Sequence, residues 1–199
     1  MVMTEPKFKA GDVVFFKPKK FSIYSTLIRI NNFINYRELG WTHVGIIGEV
    51  KPHSIIIYEA LTQGFVASEY GKGELQTIIS QRKAKIKRPK IRVTKVKDSC
   101  EQYLGRPYGW IDVFQIGVGT IFNLMSLFFA FNDKLRLVVG SFMLQTSGAS
   151  KLQCSEAVAR VLYDSSNKKI NFQEEFGKKY SLITPHDLAI SKQLVNARN

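Results

Sequence analysis

Trp41-Thr42-His43-Val44-Gly45-Ile46-Ile47 is followed, after a turn near Lys51-Pro52-His53, by Ile55-Ile56-Ile57-Tyr58-Glu59-Ala60. Both runs are short, apolar and rich in β-branched or aromatic residues. Bounded by turn residues, they predict two adjacent antiparallel strands. Folding back across that turn brings His43 to within about a residue of Glu59 in register, and facing side chains of neighbouring strands lie about 5 Å apart. A slip of one residue would send the two side chains to opposite faces. A carboxylate inside a buried strand is costly unless paired, and His43 is the most economical partner for Glu59.

Working outward, Gly11-Asp12 before Val13-Val14-Phe15-Phe16 reads as a turn and a buried strand. Ile23, Leu27, Ile30 and Ile34 fall at helical spacing within 22–34. Gly64 to Ser68 predicts a short strand, and Ile86 to Val93 another, with Pro89 favouring an edge position. From Val93 the apolar steps through Val96, Cys100, Tyr103 and Leu104 predict a helix stopped by Gly105 and Pro107. A second helix spans Leu152 to Tyr163, with Cys154, Ala157, Val158, Val161 and Leu162 on one face. Thr184-Pro185-His186-Asp187 carries an N-cap threonine, an N1 proline and an acid at N3, which announces a last short helix.

At 199 residues and 45% hydrophobic content, with 14 Phe, the chain fits one globular domain with a real core. Two cysteines make no disulfide framework, and both are expected reduced. The first ten residues lack the apolar centre of a signal peptide. A cytoplasmic or virion-associated setting is therefore expected, with peripheral membrane association as a further option. Residues Val113 to Asn132 contain no charge, about the span of a bilayer helix. Yet Asp112, Gln115, Gly119, Asn123 and Ser126 lay a less apolar stripe down one helical face, and a second apolar run follows over Leu135 to Leu144. A core or oligomer-interface helix, a membrane-surface helix and a true span all fit this pattern.

Net charge is +13 and unevenly spread. Nine Lys or Arg lie between Arg82 and Lys97, with no acid until Asp98. The run reads either as a strand edge guarded by lysines or as a contact for an anionic membrane or wall polymer, which the apolar segment would supplement. No base-reading module accompanies it, so specific nucleic-acid binding is disfavoured.

Candidate chemistry rests on few residues, because the chain has three histidines and two cysteines. A free thiol is mostly protonated at neutral pH, and a nearby imidazolium or a helix N-terminus lowers its pKa. Cys154 opens a helix, whose unpaired N–H groups favour negative charge. His43 would serve as its base and Glu59 would hold the imidazole in one tautomer. The backbone N–H of Cys154 is a natural oxyanion donor. Taken alone, a cysteine on an apolar helix face reads as core. His186, on a capped helix, is expected at the surface, and His53, in a turn, is set aside.

The order of these pieces resembles the circularly permuted branch of the NlpC-type papain-like cysteine peptidases, to which YiiX-like and lecithin:retinol acyltransferase-like proteins belong. The resemblance is carried by Gly11-Asp12-Val13-Val14-Phe15, Trp41-Thr42-His43-Val44-Gly45-Ile46, Tyr58-Glu59-Ala60, Leu104-Gly105-Arg106-Pro107-Tyr108, Gln153-Cys154-Ser155-Glu156 and Ile183-Thr184-Pro185-His186-Asp187-Leu188. Histidine precedes cysteine, as the permuted branch requires. Two departures stand out: Pro-Gly-Asp reads Pro185-His186-Asp187, and the acid after the Pro-Tyr pair is replaced by Gly109.

The resemblance implies an α+β papain-like domain over 1–199, a small antiparallel sheet or open barrel packed on helices, with an apolar helical insertion at about 110–150. It implies Cys154 as nucleophile, His43 as base, Glu59 as the orienting third member and Tyr108 as a site-lining residue, with no cofactor and no metal. The expected reaction is acyl transfer or hydrolysis at an amide or ester, on a cell-wall peptide or a lipid or N-acyl group. The alternative is a catalytically silent scaffold, membrane-attached or built into a larger assembly.

Overall fold

The computed structural model describes residues 7–17, Thr26, Arg29, 40–81, 83–109 and 152–197. The helix expected over 22–34 (Thr26 and Arg29 apart) and the whole apolar stretch from Val113 to Leu144 lie outside these residues.

Six strands form one antiparallel sheet: β1 (Val13–Phe16), β2 (His43–Val50), β3 (Ser54–Leu61), β4 (Gly64–Gly71), β5 (Ala84–Pro89) and β6 (Leu194–Asn196). They lie in the order β4-β3-β2-β1-β5-β6, an open sheet rather than a closed barrel. Thr26 and Arg29 apart, the helices among the described residues are α1 (Lys72–Ser80), α2 (Val96–Glu101), α3 (Cys154–Ser165), α4 (Phe172–Phe176) and α5 (Pro185–Ile190), with a 3-10 turn at Tyr180–Leu182.

Both sheet faces are covered, which is why the strands read as unbroken apolar runs. On one face Val13, Phe15, Val44, Ile46, Tyr58 and Ala60 pack with α2 and α3 through Val96, Cys100, Ala157, Val158, Val161 and Leu162. On the other, Val14, Phe16, Ile47, Ile55 and Ile57 pack with Leu75 of α1 and with Ala84 and Ile86 of β5.

The register of β2 against β3 decides the site. Near the turn, Val50 opposes Ile55 and Glu49 opposes Ile56. Carried to the start of β2, that register would set Glu59 opposite Ile46, on the face away from His43. A bulge between Ile47 and Glu49 adds one residue, so Ile47 opposes Ile57 and Gly45 opposes Glu59. Glu59 thereby shares a face with His43, two residues along. Glycine is required at both special positions. A Cβ on Gly48 would lie 2.3 Å from a ring carbon of the buried Tyr58, and one on Gly45 would lie 2.6 Å from Ile57 and 3.3 Å from the Cβ of Glu59.

Two expectations need correction. The strand expected over Ile86 to Val93 runs over Ala84–Pro89 and is not an edge, since β1 flanks it on one side and β6 on the other. β6 is three residues long, too short to announce itself, and it takes the edge position instead. The basic run is correspondingly mixed. Lys87 is buried with its Nζ toward the Leu194 carbonyl, and Arg88 clamps buried Asp12 through Nε and Nη2, each at 2.7 Å. Lys97 pairs with Glu49 at 2.9 Å, while Lys83, Lys90, Arg92 and Lys95 face solvent. The second correction concerns His186, which is buried rather than at the surface. The helix carrying it has the expected capping box between Thr184 and Asp187, but α5 lies against the core along most of its length.

If Gly48 is the residue that lets the bulge form, Gly48→Ala should destabilise the fold by about 1–3 kcal/mol, the usual cost of overpacking a core. Gly73→Ala, in α1 with open space around it, should be neutral or stabilising by up to about 1 kcal/mol. Urea unfolding of the two variants beside the parent chain measures both.

Candidate active site

His43 is the first residue of β2, and its Nε2 lies 2.6 Å from Glu59 Oε2. The pair spans the diagonal that Gly45 leaves open, within reach of long side chains. Glu59 is 2% exposed and His43 25% exposed, so the carboxylate sits deep and the ring reaches the margin. Tyr70 on β4 donates its hydroxyl to the other oxygen, Oε1, at 3.0 Å, and Ser68, on the same face of β4, lies near enough to help hold the carboxylate charged. Phe16 of β1 stacks on the imidazole with centroids 5.7 Å apart, and on the Tyr70 ring at 6.2 Å.

Cys154 arrives from the opposite side of the sheet. It is the first residue of α3, whose N-cap, Gln153, makes no side-chain cap. Instead the Gln153 amide donates to the Ser181 carbonyl, and Ser155 donates to that of Ile183. Upstream, Leu152 is bridged to the Pro107–Gly109 segment by two backbone hydrogen bonds, Gly109 N–H to Leu152 O at 2.9 Å and Leu152 N–H to Pro107 O at 3.0 Å. The first turn of α3 is therefore fixed on both sides, and it places the Cys154 side chain close enough to His43 to raise the imidazole's pKa.

The electrostatics follow from these contacts. Burial disfavours the imidazolium, but the hydrogen bonds and charges of Cys154 and Glu59 outweigh it, and His43 is pushed up to about 10. Burial likewise opposes ionisation of Glu59, yet His43, Ser68 and Tyr70 together hold its carboxyl below the usual range. Burial pushes the Tyr70 hydroxyl up, with the Glu59 charge adding to the shift. Cys100, fully buried in α2, is the contrast: burial and the neighbouring Glu101 push its thiol up. Both cysteines are free thiols.

The structure thus brings Cys154, His43 and Glu59 together. Tyr108 stands beside Leu152, two residues before Cys154, and packs partly buried against the core. His53 is exposed in its turn, and His186 is buried on α5. Sequence reasoning missed Ser68, Tyr70 and Phe16. For the two on β4 the signal was alternation: Val66, Ser68 and Tyr70 occupy the Glu59 face, and Tyr70 joins it only once that strand is extended to Gly71. Among the described residues no His/Cys/Asp/Glu cluster could hold a metal ion, and no helix is long and apolar enough to cross a membrane. No family model, curated protein or solved structure matches the chain.

Because an adjacent opposite charge raises a histidine by about 1–3 pH units, Glu59→Gln should lower the His43 titration by that amount. NMR titration of the ring in the full chain reads the shift. An unchanged titration would mean that Glu59 does not control the charge on His43.

Proposed function

We propose that this chain is a thiol-dependent acyl hydrolase or acyltransferase with the architecture of the permuted papain-like enzymes. The observation that carries this reading is the imidazole of His43 paired with Glu59 at 2.6 Å and near enough to the Cys154 thiol for the two to act on its charge together. A base held between a nucleophile and an orienting acid is the arrangement that covalent acyl transfer needs.

In this mechanism the resting site already holds the thiol's proton on His43, as the imidazolium that Glu59 stabilises. The Cys154 thiolate attacks the carbonyl carbon of an amide or ester, forming a C–S bond. The developing oxyanion faces the N-terminal amides of α3, including that of Cys154 itself. Collapse breaks the C–N or C–O bond, and His43 gives its proton to the departing amine or alcohol. Water, or an acceptor alcohol or amine, then attacks the thioester while His43 takes the incoming proton. The free acid or transferred acyl product leaves and the thiol is restored. The exposed cations Lys83, Lys90, Arg92 and Lys95 favour an acyl donor presented on an anionic surface, such as a lipid or a wall polymer.

A thiol-reactive acyl probe tests the reading. Cys154→Ala should abolish labelling and Cys100→Ala should leave it intact, while His43→Ala should slow it by about 10²–10⁴-fold, the usual contribution of a general acid–base group. Labelling that is equal in the two cysteine variants would end the assignment of Cys154. A folded parent chain that takes no label at Cys154 would replace the reaction by the silent-scaffold reading.

A further inference from the structure

The Cys154–His43–Glu59 reading leaves unexplained why Glu59, 2% exposed, takes a second side-chain donor from Tyr70, whose ring stacks on the Phe16 that covers His43. Phe16 and Tyr70 come from β1 and β4, the strands flanking the pair β2–β3 that carries His43 and Glu59. All four side chains lie on one sheet face by register. The two rings therefore reach inward from either side and stack on each other, 6.2 Å apart and within 24° of parallel, with Phe16 also stacked on the imidazole.

We infer that Tyr70 is a positioning residue of this site, its hydroxyl anchoring Glu59 Oε1 so that Oε2 meets His43 Nε2, and its ring pressing Phe16 onto the imidazole. Glutamate has three rotatable bonds, and a carboxylate held at one oxygen alone can turn away from its partner. Anchoring Oε1 at 3.0 Å removes that freedom. Water cannot easily replace the anchor, because Glu59 is almost wholly enclosed. Ser68, two residues before Tyr70 on the same face, also favours the charged carboxylate.

The charged and titratable groups facing this cluster act in the same sense. Tyr70 faces Glu59 and Glu74 of α1, both acids, and burial adds to their effect. Its hydroxyl stays protonated and remains a donor wherever the chemistry operates. Glu59 faces His43, Ser68 and Tyr70, and His43 faces Cys154 and Glu59. Tyr70 thus acts on the nucleophile only through Glu59 and His43. This role rests on the proposed function for its catalytic meaning, but the anchoring itself can be measured without it.

The decisive variant is Tyr70→Phe in the full chain, which keeps the ring against Phe16 and removes only the donor. Loss of a hydrogen bond to a carboxylate raises its pKa, so the Glu59 carboxyl resonance should titrate about one pH unit higher, a tenfold change in proton affinity. The acid limb of Cys154 alkylation by iodoacetamide should move upward with it. Ser68→Ala, read in the same way, should shift Glu59 in the same direction.

A Glu59 titration in folded Tyr70→Phe that stays where it is in the parent chain overturns the inference. So does a shift produced by Tyr70→Leu but not by Tyr70→Phe, which would assign Tyr70 to packing alone. Should Cys154 of the parent chain resist iodoacetamide at every pH, the enzymatic reading fails by itself. A Glu59 shift in Tyr70→Phe would still establish the anchor in that case.

Discussion

The 2.6 Å contact between His43 and Glu59 is the constraint around which the rest of the site is arranged. A carboxylate in the middle of a sheet covered on both faces must be paired and hydrogen-bonded, because an isolated buried charge is prohibitively costly. Pairing it across two strands requires one register and one face. The turn by itself supplies the wrong face, and the bulge at Gly48 converts it to the right one. Gly45 then keeps the diagonal between the two side chains clear. Two glycines and one inserted residue are what the ion pair asks of the backbone.

The sheet also separates the parts of the site. His43 and Glu59 belong to the face packed on α1, whereas α3 and its first residue, Cys154, belong to the other. They meet because His43 is the first residue of β2, at the margin of the sheet, where a ring from one face can reach a helix end on the other. The helix end is held independently, by the Gln153 and Ser155 side chains on the 181–183 segment and by the Leu152 bridge to Pro107 and Gly109. Nucleophile and base are thus positioned by different elements, and their coincidence is a property of the tertiary fold.

That division explains what could be read in the sequence. The hairpin, the helix opened by Cys154 and the capped helix at Thr184 each rest on local periodicity or capping chemistry, and each was legible. The juxtaposition of His43 and Glu59 followed from burial logic, although the register that achieves it depends on a bulge that no local pattern announced. β6 was invisible because three residues carry no periodicity, and its absence made β5 look like an edge. His186 looked like a surface group because capping fixes where a helix starts and says nothing of which face is buried. Tyr70 was hidden by ending β4 at Ser68, and Ser68 because its relation to Glu59 is a matter of face and register.

The acidic and basic members of the pair also stabilise the fold over overlapping ranges of pH. A histidine raised from 6.5 to about 10 contributes stability that is fully present below 6.5 and is lost as pH climbs towards 10. A glutamate lowered from its ordinary value contributes stability present above that value and lost as pH falls through its folded pKa. The two contributions coincide in mildly acidic solution, between the ordinary glutamate and histidine values, and the glutamate's persists above it. At neutral pH, therefore, the ionised pair still supports the fold rather than straining it. The network behind Glu59 serves both ends at once: donors that keep the carboxylate charged for His43 are the same donors that make its burial tolerable.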